Sequence, residues 1–325
     1  MPKAGVRFAT VAAAPLVRRE PGALAATVAT NVRGIAQACR LLGRERPDVL
    51  IATGGYVALP VVAALRLLRF ARRSRARIAL LEPNAVAGLA NRLLAPLVDE
   101  LWLAHPPNGR ALRPREHVVG MPVRAALRAP RRPAAARAAL GVPPERSMVL
   151  VMGGSQGARS LNEATAGMLE AGGVPDVGFV VLAGTRDRGE LAARLAGRDD
   201  VRVLGYLDDP QPAYAAADLV VARAGASTLG ELAATAAPAL LVPYPFATAD
   251  HQRHNAEAFA SGGAAHVVAD AELDAARLRA EVVRALEPAT LAAMRTAAAN
   301  RAATDPGRAI AARVKAWRAP KNGRT

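Results

Sequence analysis

Two glycine-bearing segments hold the residue types best suited to bind a charged small molecule. The first runs Met148-Val-Leu-Val-Met-Gly-Gly-Ser-Gln-Gly-Ala-Arg159, the second Asp218-Leu-Val-Val-Ala-Arg-Ala-Gly-Ala-Ser-Thr-Leu-Gly-Glu231. In each, an apolar run stops at small residues and an amphipathic stretch begins, which predicts a buried strand, a tight turn and a helix. Such a turn aims unpaired backbone N–H groups and the positive end of a helix dipole at one point, a geometry that binds phosphate. The Ser155 hydroxyl can donate to a phosphate oxygen. The plainer alternative for Gly153 to Ala158 is an ordinary strand-to-helix turn, since it lacks the lysine of a P-loop and the spacing of a dinucleotide fingerprint. Two such turns in one α/β domain predict a diphosphate ligand.

Glu231 falls near the end of the first turn of the second predicted helix. A carboxylate there can cap the helix, or it can accept both hydroxyls of a ribose, as acidic residues do in nucleotide-binding sheets. The two phosphate cradles beside it favour ribose. Asp250-His-Gln-Arg-His-Asn255 follows a strand that ends at Val242-Pro-Tyr-Pro245. Polar side chains massed at the carboxyl end of a strand face the ligand crevice, so Gln252 and Asn255 are candidates to read sugar hydroxyls. His251 and His254 could form half a metal site, but no carboxylate or thiol set completes it. No metal and no cofactor are expected.

These segments need a sheet to hold them. Residues 6–10 read as a strand, Val28 to Leu42 as a helix, Asp48 to Ala52 as a strand and Leu59 to Phe70 as a helix. Short strands are expected at Ile78 to Leu81, Leu101 to Ala104 and His117 to Val119. The alternation predicts a parallel sheet with helical crossovers. A second alternating unit has strands near 147–152, 178–183, 201–204, 218–222, 239–242 and 264–268. Pro130, Pro133, Pro143 and Pro144 mark 125–145 as a join. The expected domains are therefore 1–124 and 146–307, with the terminal helical stretch 308–325 packing back on the first.

Composition narrows the classes. At 325 residues the chain has room for two cores, and 52% hydrophobic residues argue against disorder. Only 3% are aromatic, too few for base-stacking platforms. The net charge of +16 has three readings: nucleic acid, an anionic membrane surface, or genomic bias, since nearly all the basic residues are scattered arginines. Leu65-Arg-Leu-Leu-Arg-Phe-Ala-Arg-Arg-Ser-Arg-Ala-Arg77 is either a surface helix entering a solvated loop or an interfacial patch on anionic lipid. The lone cysteine, Cys39, excludes an internal disulfide and fits a reducing cytoplasm. No apolar run approaches the roughly 18 residues of a membrane span. The stretch from Lys3 to Val17 imitates a secretion signal only faintly.

Seven ordered motifs together carry a resemblance spanning nearly the whole chain. They are Thr53-Gly-Gly-Tyr56, Glu82-Pro-Asn-Ala-Val-Ala-Gly-Leu-Ala-Asn-Arg92, Val119-Gly-Met-Pro-Val-Arg124, Gly153-Gly-Ser-Gln-Gly-Ala158, Leu207-Asp-Asp209, Arg223-Ala-Gly-Ala226, and Asp250-His-Gln252 with Asn255. The set resembles the MurG family of bacterial transferases, which add N-acetylglucosamine from UDP-GlcNAc to lipid I. The resemblance implies a GT-B fold, two Rossmann-like domains with parallel sheets, with UDP-GlcNAc bound by the C-terminal domain and the lipid acceptor by the N-terminal one. Carried over by position, Ser155 and the turn from Ala226 through Ser227 to Thr228 would hold the diphosphate. Leu229 and Gly230 belong to the same donor-binding stretch, and Glu231 would hold the ribose. The Leu207 backbone would read uracil, Gln252 would hold the sugar, and Arg124 and Asn84 would complete the site. The implied reaction inverts the anomeric carbon without a bound metal. The implied partners are UDP-GlcNAc, lipid I and the anionic inner leaflet, with no nucleic acid, and the implied location is the cytoplasmic side of the plasma membrane.

The chain also departs from that pattern. It starts near the family's third strand, without the first strand and the glycine-rich loop ending in Gly-Gly-His, so no catalytic base is assigned. Leu81, Pro83 and Met121 replace the family's usual His, Gln and Asn. A gene start placed too late, a partner chain and a donor-binding remnant are the open accounts, and the chain alone is expected to be a poor catalyst. Two further readings are an isomerase of the UDP-GlcNAc 2-epimerase kind, using Asp250, His251 and His254, and a non-catalytic nucleotide-sugar binder.

Overall fold

The computed structural model describes residues 5–15, 21–106, 115–129, 132–154, 157–302 and 305–318. The chain forms two compact units, Met1–Val119 with Arg308–Thr325, and Gly120–Gly307.

The first unit opens with α1 (Pro21–Glu45), then alternates β1 (Val49–Ala52), α2 (Ala58–Phe70), β2 (Arg77–Glu82), α3 (Leu89–Leu94), β3 (Glu100–Leu103) and β4 (Glu116–Val118). Its four strands pair in parallel in the order β1-β2-β3-β4. Residues 6–10, expected as a strand, form none. The residues that follow are tied to α1 and not to a strand. Ala12 N donates to Gln37 Oε1 at 2.7 Å and Ala14 N to Asn31 Oδ1 at 3.3 Å, so side chains of α1 take the place of a neighbouring strand. Gly34 makes the approach possible, because a Cβ there would lie 1.9 Å from the Ala12 carbonyl oxygen. Val6 and Phe8 stay exposed instead of entering a core.

The second unit holds α4 (Pro133–Ala139), β5 (Ser147–Met152), α5 (Arg159–Glu170), β6 (Val177–Leu182), α6 (Gly184–Arg194), β7 (Val201–Leu204), α7 (Gln211–Ala216), β8 (Leu219–Ala222), α8 (Ala226–Thr235), β9 (Ala239–Leu241), α9 (His251–Ala260), β10 (Ala265–Val267), α10 (Ala275–Leu286) and α11 (Pro288–Ala302). Six parallel strands run in the order β10-β9-β8-β5-β6-β7. The apolar runs that marked β5 and β6 follow from this position. Helices cover both faces, so alternate residues enter two different cores. Met148, Leu150 and Met152 enter one, and Val149 and Val151 the other. The segment 125–145, read as a join, packs within this unit. Leu127 and Val142 are buried in its core, and Arg137 donates to Asp218 Oδ2 at 2.6 Å. Apolar anchors on either side of the prolines outweigh the loop signal that the prolines give.

The last helix, α12 (Pro306–Arg318), carries Arg313 and Trp317 to the buried Glu100 of the first unit. Glu100 accepts from Arg313 Nε at 3.1 Å, Trp102 Nε1 at 2.9 Å and Trp317 Nε1 at 3.0 Å. Burial pushes the Glu100 carboxyl up, but the bonds from Arg313 and Trp102 outweigh it and hold the group below the ordinary carboxylate range. Among the described residues no helix is long and apolar enough to cross a membrane.

Candidate functional site

The carboxyl ends of β5, β6 and β7 and the start of α8 enclose a cavity of about 280 Å³ in the second unit. Gly154 reaches it from the first glycine-bearing turn, and Ser227, Thr228 and Glu231 from the second. The two turns meet because β5 and β8 are neighbours in register, Met152 opposite Ala222. Gly157 is required by this turn. Its φ is +78°, and a Cβ would sit 2.3 Å from the Ala183 carbonyl oxygen at the tip of β6. Ser155 lies outside the described residues.

Helix α8 begins at Gly225 with no side-chain cap, and its first backbone bond is Leu229 N to Gly225 O. The N–H groups of Ala226, Ser227 and Thr228 therefore have no acceptor within the helix, and Ser227 and Thr228 line the cavity with the positive end of the helix dipole behind them. Arg124 adds a full charge on the same cavity, its Nη1 donating to the Asp208 carbonyl. Leu207, in the loop after β7, lines the opposite side. Cation, helix terminus and backbone N–H groups in one concave space suit a diphosphate, and the carboxylate beside them suits a diol.

Glu231 is half-buried, and its Oε2 accepts from the Tyr214 hydroxyl at 2.9 Å. Burial raises its pKa above the ordinary carboxylate value, against the Tyr214 bond and the Arg124 charge, which both lower it. Tyr214 was not singled out from the sequence. It sits on α7, 17 residues before its partner, and the only available signal was a lone aromatic in an alanine run of an aromatic-poor chain.

Other expected site residues are not gathered here. Leu229 is buried in the core, and Gly230 packs against Met121 and Val123. Gln252, at the start of α9, accepts from the Tyr244 backbone at 3.0 Å and does not line this cavity. His251 Nδ1 engages the Thr248 carbonyl and His254 lies 3.6 Å from Glu257, so each histidine is occupied by its own segment. Asn84 belongs to the first unit. There the buried Glu82 accepts from Asn84 N at 2.9 Å, Gly88 N at 3.3 Å and Asn91 Nδ2 at 2.7 Å, fixing the loop after β2.

Arg223, also overlooked as a functional residue, ties the strand tips together. It is buried at the end of β8 and donates through Nη1 to the carbonyls of Val242 at 3.1 Å and Pro243 at 3.2 Å and to Asp270 Oδ1 at 2.6 Å. Its Nη2 donates to Ser160 Oγ at 2.7 Å, which in turn donates to the same Asp270 oxygen.

Two parallel-sheet α/β units, one with a cavity at its strand tips, are the architecture of a glycosyltransferase of the GT-B type. The chain belongs to glycosyltransferase family 28, whose N-terminal domain is matched over residues 1–102 and C-terminal domain over residues 148–309. A Salinibacter ruber protein named UDP-N-acetylglucosamine–N-acetylmuramyl-(pentapeptide) pyrophosphoryl-undecaprenol N-acetylglucosamine transferase is 42% identical over 281 residues, covering 85% of this chain and 73% of its own length. The Mycobacterium tuberculosis protein of the same name is 41% identical over 308 residues, covering 92% of this chain and 74% of the relative. Among solved structures, Acinetobacter baumannii MurG superimposes with a TM-score of 0.73 at 27% identity, covering 92% of this chain and 82% of that one. A putative UDP-N-acetylglucosamine 2-epimerase from Listeria monocytogenes reaches a TM-score of 0.61 at 16% identity, over 89% and 80% of the two chains, a likeness of fold alone.

Proposed function

We propose that this chain transfers N-acetylglucosamine from UDP-GlcNAc to undecaprenyl-pyrophosphoryl-MurNAc-pentapeptide (lipid I), with inversion at the anomeric carbon, giving lipid II for peptidoglycan. The observation that carries the proposal is the single cavity in which Arg124, the start of α8 and Glu231 meet. Arg124 and the N–H groups of Ala226, Ser227 and Thr228 would hold the diphosphate and stabilise charge on the departing UDP. The Leu207 backbone would read uracil and Glu231 the ribose. Ser155 and Gln252 keep the donor roles expected from their motifs. The names of the relatives at about 41% identity favour transfer over epimerisation or non-catalytic binding. Calorimetric titration with UDP-GlcNAc should show one site per chain, and label from UDP-GlcNAc should move to lipid I. No heat at millimolar donor, or UDP-ManNAc as the product, would overturn the proposal.

The acceptor is carried by a lipid, and we assign the contact with the anionic inner leaflet of the plasma membrane to the end of α2. Phe70 is 90% exposed and Leu67 54%. Arg72, Arg73 and Arg75 follow, exposed, and Arg46, Arg73, Arg75 and Arg77 line a cavity of about 830 Å³. A wet aromatic beside exposed cations is the composition of an interfacial anchor. Replacing Phe70 by Glu should lower partition onto phosphatidylglycerol vesicles roughly tenfold, the effect of one large side chain kept from lipid. Unchanged co-sedimentation would remove α2 from the contact.

A further inference from the structure

We infer that Tyr214 is the positioning residue that sets ribose selectivity in the donor pocket, by clamping one oxygen of Glu231 and leaving the other for the diol. The inference rests on the proposed UDP-sugar function and adds a residue to it.

The phenol is fully buried in the core under β8 and has no freedom to turn elsewhere. Its hydroxyl lies 2.9 Å from Glu231 Oε2 and 3.2 Å from Met152 Sδ. A phenol has one proton, and an ionised carboxylate is a far better acceptor than a thioether, so the proton points to Glu231. Oε2 is thereby fixed, and Oε1 accepts no hydrogen bond from the described residues. A free glutamate side chain samples several rotamers, and holding it to one lowers the entropic cost of binding a diol. A cis-diol needs an acceptor with two lone-pair directions in a fixed plane, which Oε1 supplies once the carboxylate is held through Oε2. The phenolic bond also works against the burial that raises the Glu231 carboxyl. The other ionisable groups on the cavity are Arg124, from the segment before α4, and Tyr206, from the loop after β7.

The test compares UDP with 2′,3′-dideoxy-UDP by titration against the full chain and three variants. The wild-type chain should prefer UDP. Tyr214→Phe removes one oxygen and should weaken UDP roughly tenfold, the loss of one hydrogen bond to a charged group. It should leave dideoxy-UDP within about twofold, since that ligand lacks the hydroxyls which the unclamped Oε1 serves. In a Glu231→Ala background, Tyr214→Phe should change neither affinity further. A merely structural tyrosine would weaken both nucleotides alike and would add its loss to that of Glu231→Ala; either result overturns the inference. A wild-type chain that binds both nucleotides equally removes the ribose role of Glu231 itself, and one that binds neither removes the donor site. Both are distinct from failure of Tyr214 alone.

Discussion

Replacing Arg124 by Ala should lower the rate of N-acetylglucosamine transfer about 10²–10³-fold, with little change in folding. The guanidinium lies on the cavity beside the free N–H groups at the start of α8. In the proposed reaction, negative charge grows on the diphosphate as the glycosidic bond breaks. Removing one preorganised donor aimed at developing charge costs about 2.7–4 kcal/mol of transition-state stabilisation. Arg124→Lys should recover only part of the rate, because an ammonium cannot reproduce the fork of the guanidinium. Initial rates at saturating donor decide the matter: a fall in kcat below about threefold would remove Arg124 from the chemistry, and a change confined to KM would make it a ground-state binder. The variant should also shift the pH profile. Burial raises the Glu231 carboxyl, and Arg124 is one of two groups that pull it down. Without that charge the pKa rises further, so protonation sets in at higher pH. The acid limb of donor binding should then move toward neutrality, and an unmoved limb would show that Arg124 and Glu231 do not communicate.

The largest effect on stability is expected at Arg223. Arg223→Met should destabilise the second unit by about 3–5 kcal/mol, the cost of breaking a buried ion pair from one side. The variant strands Asp270 and the carbonyls of Val242 and Pro243, which share the guanidinium. Urea unfolding followed by tryptophan-independent circular dichroism would report the change, and a shift below about 1 kcal/mol would mean that water replaces the cation without penalty. Arg223→Lys should also be destabilising, since one ammonium cannot serve two carbonyls, a carboxylate and a serine hydroxyl in that plane.

The parts of the site legible in the sequence are those made by neighbours along the chain. An apolar run ending in small residues gives away a strand, a turn and a helix start, and Gly154, Ser227, Thr228 and Glu231 all stand in such stretches. The inner strands β5, β6, β8 and β9 were legible for the same reason, because both of their faces are apolar. What stayed hidden depends on distant pairing. Arg223 meets Ser160 across 63 residues and Asp270 across 47, and nothing in the local pattern of any of the three marks the others. Tyr214 finds Glu231 only because β8 carries the chain from one to the other. Residues 6–10 failed in the opposite sense. Their alternation suits a strand, but strand formation needs a neighbouring backbone, and the side chains of Gln37 and Asn31 reached the following residues first.

The unit made earlier is finished by a helix made after the other unit. Glu100 meets the Arg313 guanidinium 213 residues later in the chain, after the whole second unit has left the ribosome. During synthesis the second unit can fold as an uninterrupted stretch, while the earlier sheet waits with a carboxylate that lacks its cation. The order of translation and the order of maturation are thus reversed, and a polypeptide released short of Trp317 would carry its defect in the half made first.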